Sequence, residues 1–144
     1  MQTFLPYADF RKSAQVLDYK RLGKQRVEAF QILNAMRGQT KGWQNHPCTV
    51  MWRDNEQALI QYAIVICQEW IARGYKDSLL PRFIAEVTTD KPDMPWWLGF
   101  DKLHLSHQSN LVRKDSSYYK FKVKNDLPYV WCLADGTYYE GIKK

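Results

Sequence analysis

The sequence predicts an all-α fold, a compact single-domain helical bundle with an irregular C-terminal segment. Apolar residues recur at three- and four-residue spacing over 18–37 and again over 49–74, the period of helices laid on a core. A further helix is expected over Asp101–Lys114, and the chain after it is aromatic and broken by turns. At 144 residues the chain is long enough to bury a real core, so one domain over 1–144 is expected.

Met1–Pro6 reads as an extended arm, because Pro6 biases Leu5 away from helix. Ser13 is the expected N-cap of the first helix, with Ala14, Leu17 and Asp18 leading into the stretch Asp18–Glu28. At about 100° per residue, Leu22, Ala29, Leu33 and Met36 share one arc and form the core face. Arg21, Gln25 and Glu28 lie along one edge of that arc, and Lys20, Lys24 and Gln31 project from the opposite side. Such a polar seam suits a reactive carboxylate beside a cation, and equally an ion pair within or between helices. Lys20, Arg21, Lys24 and Arg26 place four cations in seven positions, an anion-binding signal. Gly23 is expected to kink or divide the helix, at a cost of about 1 kcal/mol relative to Ala.

Gly38–Pro47 reads as a loop. Its Trp43, Asn45 and His46 are candidates for reading an extruded base, the other reading being a capped turn with Trp43 tucked into the core. Thr49–Gly74 is expected to be the longest helix, with Leu59, Tyr62, Ala63, Ile66 and Trp70 on its buried side and Gly74 as its stop. A shorter helix is expected over Ser78–Val87, with Pro81 near its start, followed by a turn-rich connection and the apolar knot Trp96–Gly99. His104 and His107 share a helical face; with His46 as the only other imidazole, metal ligation is not expected, and contact with phosphate or with packed polar groups is. Arg113, Lys114 and Lys120 interleave with Tyr118, Tyr119 and Phe121, a pattern that fits a DNA-facing edge or a strand whose rings cover the core. Leu127–Trp131 reads as an apolar segment pinning the chain end, with Asp135-Gly136 as a turn.

The net charge of +6 and isoelectric point near 9.2 favour a polyanionic partner such as nucleic acid. Cys48, Cys67 and Cys132 are widely spaced with no CxxC pair, and Cys67 lies in an apolar run, so free thiols in a reducing compartment are expected. No signal peptide is expected, since Phe4 and Leu5 are followed at once by Pro6, Asp9, Arg11 and Lys12. The longest apolar run, Tyr62–Cys67, is too short to span a bilayer. A cytoplasmic location is expected, either of a cell's own protein or of a phage-encoded one acting in the host.

Three stretches resemble the pyrimidine-dimer DNA glycosylases of the phage endonuclease V type: Asp18-Tyr19-Lys20-Arg21-Leu22, Glu69 through Asp77, and Leu105-Ser106-His107-Gln108 through Tyr118-Tyr119-Lys120. The resemblance implies an all-helical enzyme that binds and bends duplex DNA and cuts the glycosidic bond of a damaged pyrimidine. It further implies that the N-terminal amine attacks the sugar C1′ to form a Schiff base, assisted by a glutamate on the first helix, with strand cleavage by β-elimination. An α-amine with a pKa of about 7.7–8.0 keeps a useful neutral fraction near neutral pH.

The chain departs from that pattern at two places. The family nucleophile is a Thr exposed by removal of the initiator Met, whereas here Gln2 follows Met1 and its bulk discourages removal. The family glutamate falls at Arg21 when Tyr19 and Leu22 are matched; Glu28, two turns along the same edge, or Asp18 would have to supply the carboxylate. The expected catalytic group is therefore Met1, Arg21, Glu28 and Asp18. The expected DNA contacts are Lys20, Lys24, Gln25, Arg26, Trp43, Asn45, His46, His104, His107, Arg113, Lys114 and Lys120. The expected partner is double-stranded DNA, bound by a monomer without metal or cofactor. A non-catalytic helical nucleic-acid-binding module is the rival reading, and a small phosphorylated or nucleoside substrate a third.

Overall fold

The computed structural model describes residues 1–141. Among them are six helices, α1 (Phe10–Val16), α2 (Tyr19–Met36), α3 (Pro47–Trp52), α4 (Glu56–Ala72), α5 (Leu80–Ala85) and α6 (Asp101–Lys114), and one small hairpin, β1 (Val130–Cys132) with β2 (Tyr138–Glu140). The protein is mostly helical and compact, as its periodicity predicts. No described helix is long and apolar enough to cross a membrane.

α2 and α4 form the central pair. Leu22, Ala29, Ile32 and Leu33 of α2 are buried in the same core as Leu59, Tyr62, Ala63 and Ile66 of α4. Gly23 does not divide α2, which runs on through it. A Cβ there would lie 2.9 Å from the Trp70 ring, so glycine is what lets α4 lay its indole on the α2 backbone. Arg26 stacks on the same ring, 4.7 Å from its centroid, and forms an ion pair with Asp77. The Asp77 side chain is fully buried, and it also accepts the backbone N–H groups of Leu79 (3.1 Å) and Leu80 (2.7 Å) at the start of α5. Asp77→Ala leaves the Arg26 charge without its partner and α5 uncapped. The expected loss is about 3–5 kcal/mol, read as a lower urea midpoint, and Arg26→Met in the same chain should restore part of it.

Several boundaries differ from those expected. α1 is capped by Asp9, whose carboxylate accepts from Lys12 N at 2.9 Å. Ser13 lies inside the helix instead, where its hydroxyl donates to the Tyr7 carbonyl at 3.0 Å. Asp18 begins α2 as its cap. The helix expected over Thr49–Gly74 is two helices, broken at 53–55. Asn55 at the break holds the Asp93 carbonyl at 3.0 Å, and the short α3 is free to put Trp52 edge-on to Trp97, with ring centroids 4.8 Å apart. The hairpin is absent from the all-α expectation: Val130 pairs with Glu140 and Cys132 with Tyr138 across the turn at Asp135-Gly136. Its three-residue strands are too short to display an alternating pattern.

The first residues are the feature that positions the site. Gln2, Thr3, Phe4 and Leu5 are all buried, so the extended arm runs through the interior, where each backbone polar group needs a partner. Side chains supply them. Gln25 accepts from Phe4 N at 2.9 Å and donates to the Gln2 carbonyl at 2.8 Å. Tyr62 donates to the Phe4 carbonyl at 3.0 Å and Gln108 to the Pro6 carbonyl at 2.8 Å, while Trp52 donates to the side-chain hydroxyl of Thr3 at 3.0 Å.

His104 and His107 complete the grip on the arm. His104 Nδ1–H donates to the Leu5 carbonyl at 2.8 Å, and its Nε2 accepts from Gly99 N at 2.9 Å. His107 Nδ1 accepts from Leu5 N at 2.9 Å, which requires that nitrogen to be unprotonated. Burial depresses the pKa of both imidazoles, that of His107 to about 3.

Candidate active site

Because the arm is clamped on α2, the start of the chain meets the polar seam of that helix. A cavity of about 610 Å³ opens there, with Met1 and Gln2 in one wall beside Glu28. Glu28 Oε2 accepts from Gln25 Nε2 at 3.0 Å and sits 3.4 Å from the backbone N–H of Gln2. Gln25 therefore orients the carboxylate and the arm together. It is the only residue on α2 that hydrogen-bonds to both Gln2 and Phe4 among the described contacts.

Lys20, Arg21 and Lys24 of α2 line the same cavity, joined by Lys114 at the end of α6. Burial lowers the Lys114 pKa, and the neighbouring charges of Arg21, Lys24 and Arg113 lower it further against the opposing pull of Glu28. Cations crowded in this way around one carboxylate make a wall that an incoming anion would relieve. Arg21 is steadied by Asp18, 3.2 Å away.

Another part of the wall is aromatic. Tyr129, just before β1, and Trp131 within it put their rings 5.6 Å apart, and His46 meets Trp131 edge-on at 6.0 Å. His46 Nδ1 caps α3 by accepting from Cys48 N at 3.1 Å. Gly141 lies against Trp131, where a Cβ would come within 2.5 Å of the indole nitrogen. Burial pushes the Tyr129 phenol up to about 12, so it stays neutral and able to donate.

A model of the pyrimidine dimer DNA glycosylase family matches residues 1–80. The chain belongs to that family. No curated protein and no solved structure matches it. The span matched to the glycosylase family contains the arm and α2, α3 and α4, with Gln25, Glu28, Trp52 and Tyr62, while the grip from α6 lies beyond it. Membership makes DNA the substrate and base excision in DNA repair the activity at family level. Lys114, Tyr129 and Trp131 lie beyond the matched span.

Of the residues singled out in the sequence, the cavity of this glycosylase fold gathers Met1, Lys20, Arg21, Lys24, Glu28, His46 and Lys114. Others lie elsewhere, each for a physical reason. Asp18 is the α2 cap and accepts from Tyr119 Oη; burial raises its pKa, but hydrogen bonds from Tyr119 and Arg21 more than offset this and keep it ionised in a structural role. Gln25 does line the cavity, but it is buried and its polar atoms are used on Gln2, Phe4 and Glu28, so it positions the wall instead of meeting DNA. Arg26 is turned toward Asp77 and Trp70. His104 and His107 are buried against the arm and present no surface to DNA.

Arg113 is bent back onto Ser109, Asn110 and the Asn125 carbonyl, while Lys120 is exposed but outside the cavity, with Nζ on the Ser116 carbonyl at 3.1 Å. Trp43 and Asn45 stand on the exposed loop rather than in the wall, and Trp43 is not tucked into the core. Tyr129 and Trp131 were legible only as a pin for the chain end. Their i, i+2 spacing is the one signal that could have put both rings on a common face.

Proposed function

We propose that this chain is a DNA glycosylase that removes a damaged pyrimidine from duplex DNA through an amine nucleophile, with Glu28 as its acid/base. The observation that carries the reading is the meeting of Glu28 with the start of the chain in a cation-lined cavity. In a chain that begins at Met1, the α-amine of Met1 is the nucleophile, and Lys20, Lys24 and Lys114 are the other amines of the cavity lining.

The neutral amine attacks C1′ as the C1′–N1 bond breaks, and the base leaves with the bonding pair. Glu28 takes a proton from the new ammonium, and the departing base is protonated in turn. Opening of the sugar ring, with a proton delivered to O4′, gives the iminium. Loss of a C2′ proton then expels the 3′ phosphate, the lyase step. Lys20, Arg21, Lys24 and Lys114 hold the flanking phosphates, and His46, Tyr129 and Trp131 receive the extruded nucleotide. Extrusion costs a few kcal/mol and is least costly at a damaged base.

The core that joins Phe4 to Cys132 supports reading the chain as one domain. Lys24→Gln and Lys114→Gln are each expected to weaken duplex binding and to reduce the slope of log affinity against log salt by about 0.9. An unchanged slope would take those side chains off the phosphates. The reading is tested by incubating the chain with duplexes that carry a cyclobutane pyrimidine dimer, an abasic site or a modified pyrimidine. Glycosidic-bond cleavage at the dimer or the modified pyrimidine, with strand cleavage at the abasic site, supports it; tight binding of all three without cleavage would leave a DNA-binding module.

A further inference from the structure

Trp43 combines two properties that packing does not explain. Its φ is +70°, and no other described non-glycine residue has positive φ. L-residues enter that region at a steric cost, and bulky ones rarely. Its indole is also 52% exposed, although the protein has a large aromatic core in which Trp52 and Trp97 are buried.

The surrounding loop holds the residue in this conformation. Gln44 Nε2 donates to the Thr40 carbonyl at 2.7 Å, and His46 N donates to the Trp43 carbonyl at 3.1 Å. The ring centroid lies 5.3 Å from that of His46, and His46 is in the cavity wall. A strained, solvent-facing indole is thus fixed at the lip of the cavity. Strain that the surroundings enforce is a mark of functional positions.

We propose that Trp43 is a wedge that enters the duplex where the nucleotide has been extruded, stacking on the neighbouring base and keeping the gap from closing. The inference rests on the reading that the cavity receives an extruded nucleotide. A planar apolar ring suits the space between base steps, and aromatic stacking on a base is sequence-tolerant, as repair of damage in any context requires. Trp43 is a positioning residue here, since it acts on the stack beside the reacting sugar.

The test uses Trp43→Gly, which accepts positive φ without strain and therefore folds, together with Trp43→Phe. Trp43→Gly is expected to melt no lower than the parent chain, yet to lose about tenfold or more in kcat/KM on damaged duplex. Trp43→Phe should retain most of the activity. A 2-aminopurine placed at the extruded position should be dimmer when bound by Trp43→Gly than by the parent, because without the indole the gap closes and the base restacks.

Full activity in Trp43→Gly overturns the wedge. So does lost activity with unchanged 2-aminopurine fluorescence, which would put the ring somewhere other than the gap. A parent chain that releases no base overturns the reading of the cavity itself, and that outcome is distinguished by the parent's own assay.

Discussion

Glu28→Gln is expected to lower base release by about 10²–10⁴-fold while leaving duplex affinity within a few-fold of the parent. The substitution is nearly isosteric, and the glutamine carbonyl can still accept from Gln25 Nε2, which lies 3.0 Å from the native oxygen. The arm therefore stays in place, and what disappears is the capacity to take a proton. Removing a negative charge from among Lys20, Arg21, Lys24 and Lys114 should, if anything, tighten phosphate binding. Single-turnover release of the base, measured beside equilibrium binding of the same duplex, separates the two effects. Undiminished release would remove Glu28 from the mechanism.

The second large effect is on stability against pH. His107 is fully buried, and its pKa is depressed to about 3 by burial first and by nearby His104 second. In the unfolded chain it titrates near its ordinary value of 6.5. Above that value the imidazole is neutral in both states and the full stability is present. Between 6.5 and about 3 the unfolded state binds the extra proton, so stability falls as pH falls, by an amount on the order of 5 kcal/mol across the window. His104 acts in the same direction.

The mechanical reason is that a proton on His107 Nδ1 abolishes the acceptor for Leu5 N. Acid thus releases the arm that carries Met1 into the site. Urea midpoints between pH 7 and 4 should fall steeply in the parent. In His107→Asn, whose side-chain oxygen accepts without titrating, they should fall less steeply even if the variant is weaker at pH 7. Parallel curves would show that another group sets the dependence.

The sequence made some of this arrangement readable and hid the rest for identifiable reasons. The three-four periodicity located α2 and α6 well, and the same helical geometry put Glu28 on one edge with Arg21, where the cavity has both. The interruption at 53–55 had no glycine or proline to mark it. The arm's burial could not be seen, because its partners are side chains between 21 and 102 positions away, such as Gln25 and His107. For the same reason the His104 and His107 spacing left phosphate contact and polar packing both open, when both ring nitrogens of His104 and Nδ1 of His107 are used on Leu5 and Gly99. The aromatic wall comes from a hairpin whose strands are only three residues each.

The central claim is that an amine at the start of the chain, held beside Glu28, performs the excision. The most direct measurement is borohydride trapping on a duplex containing a cyclobutane pyrimidine dimer, with the adduct mapped by peptide mass spectrometry. The account predicts a covalent protein–DNA adduct on the α-amine of Met1 that is lost when this amine is acetylated beforehand. Base release with no trapped adduct, or an adduct on a lysine outside the cavity, would contradict it.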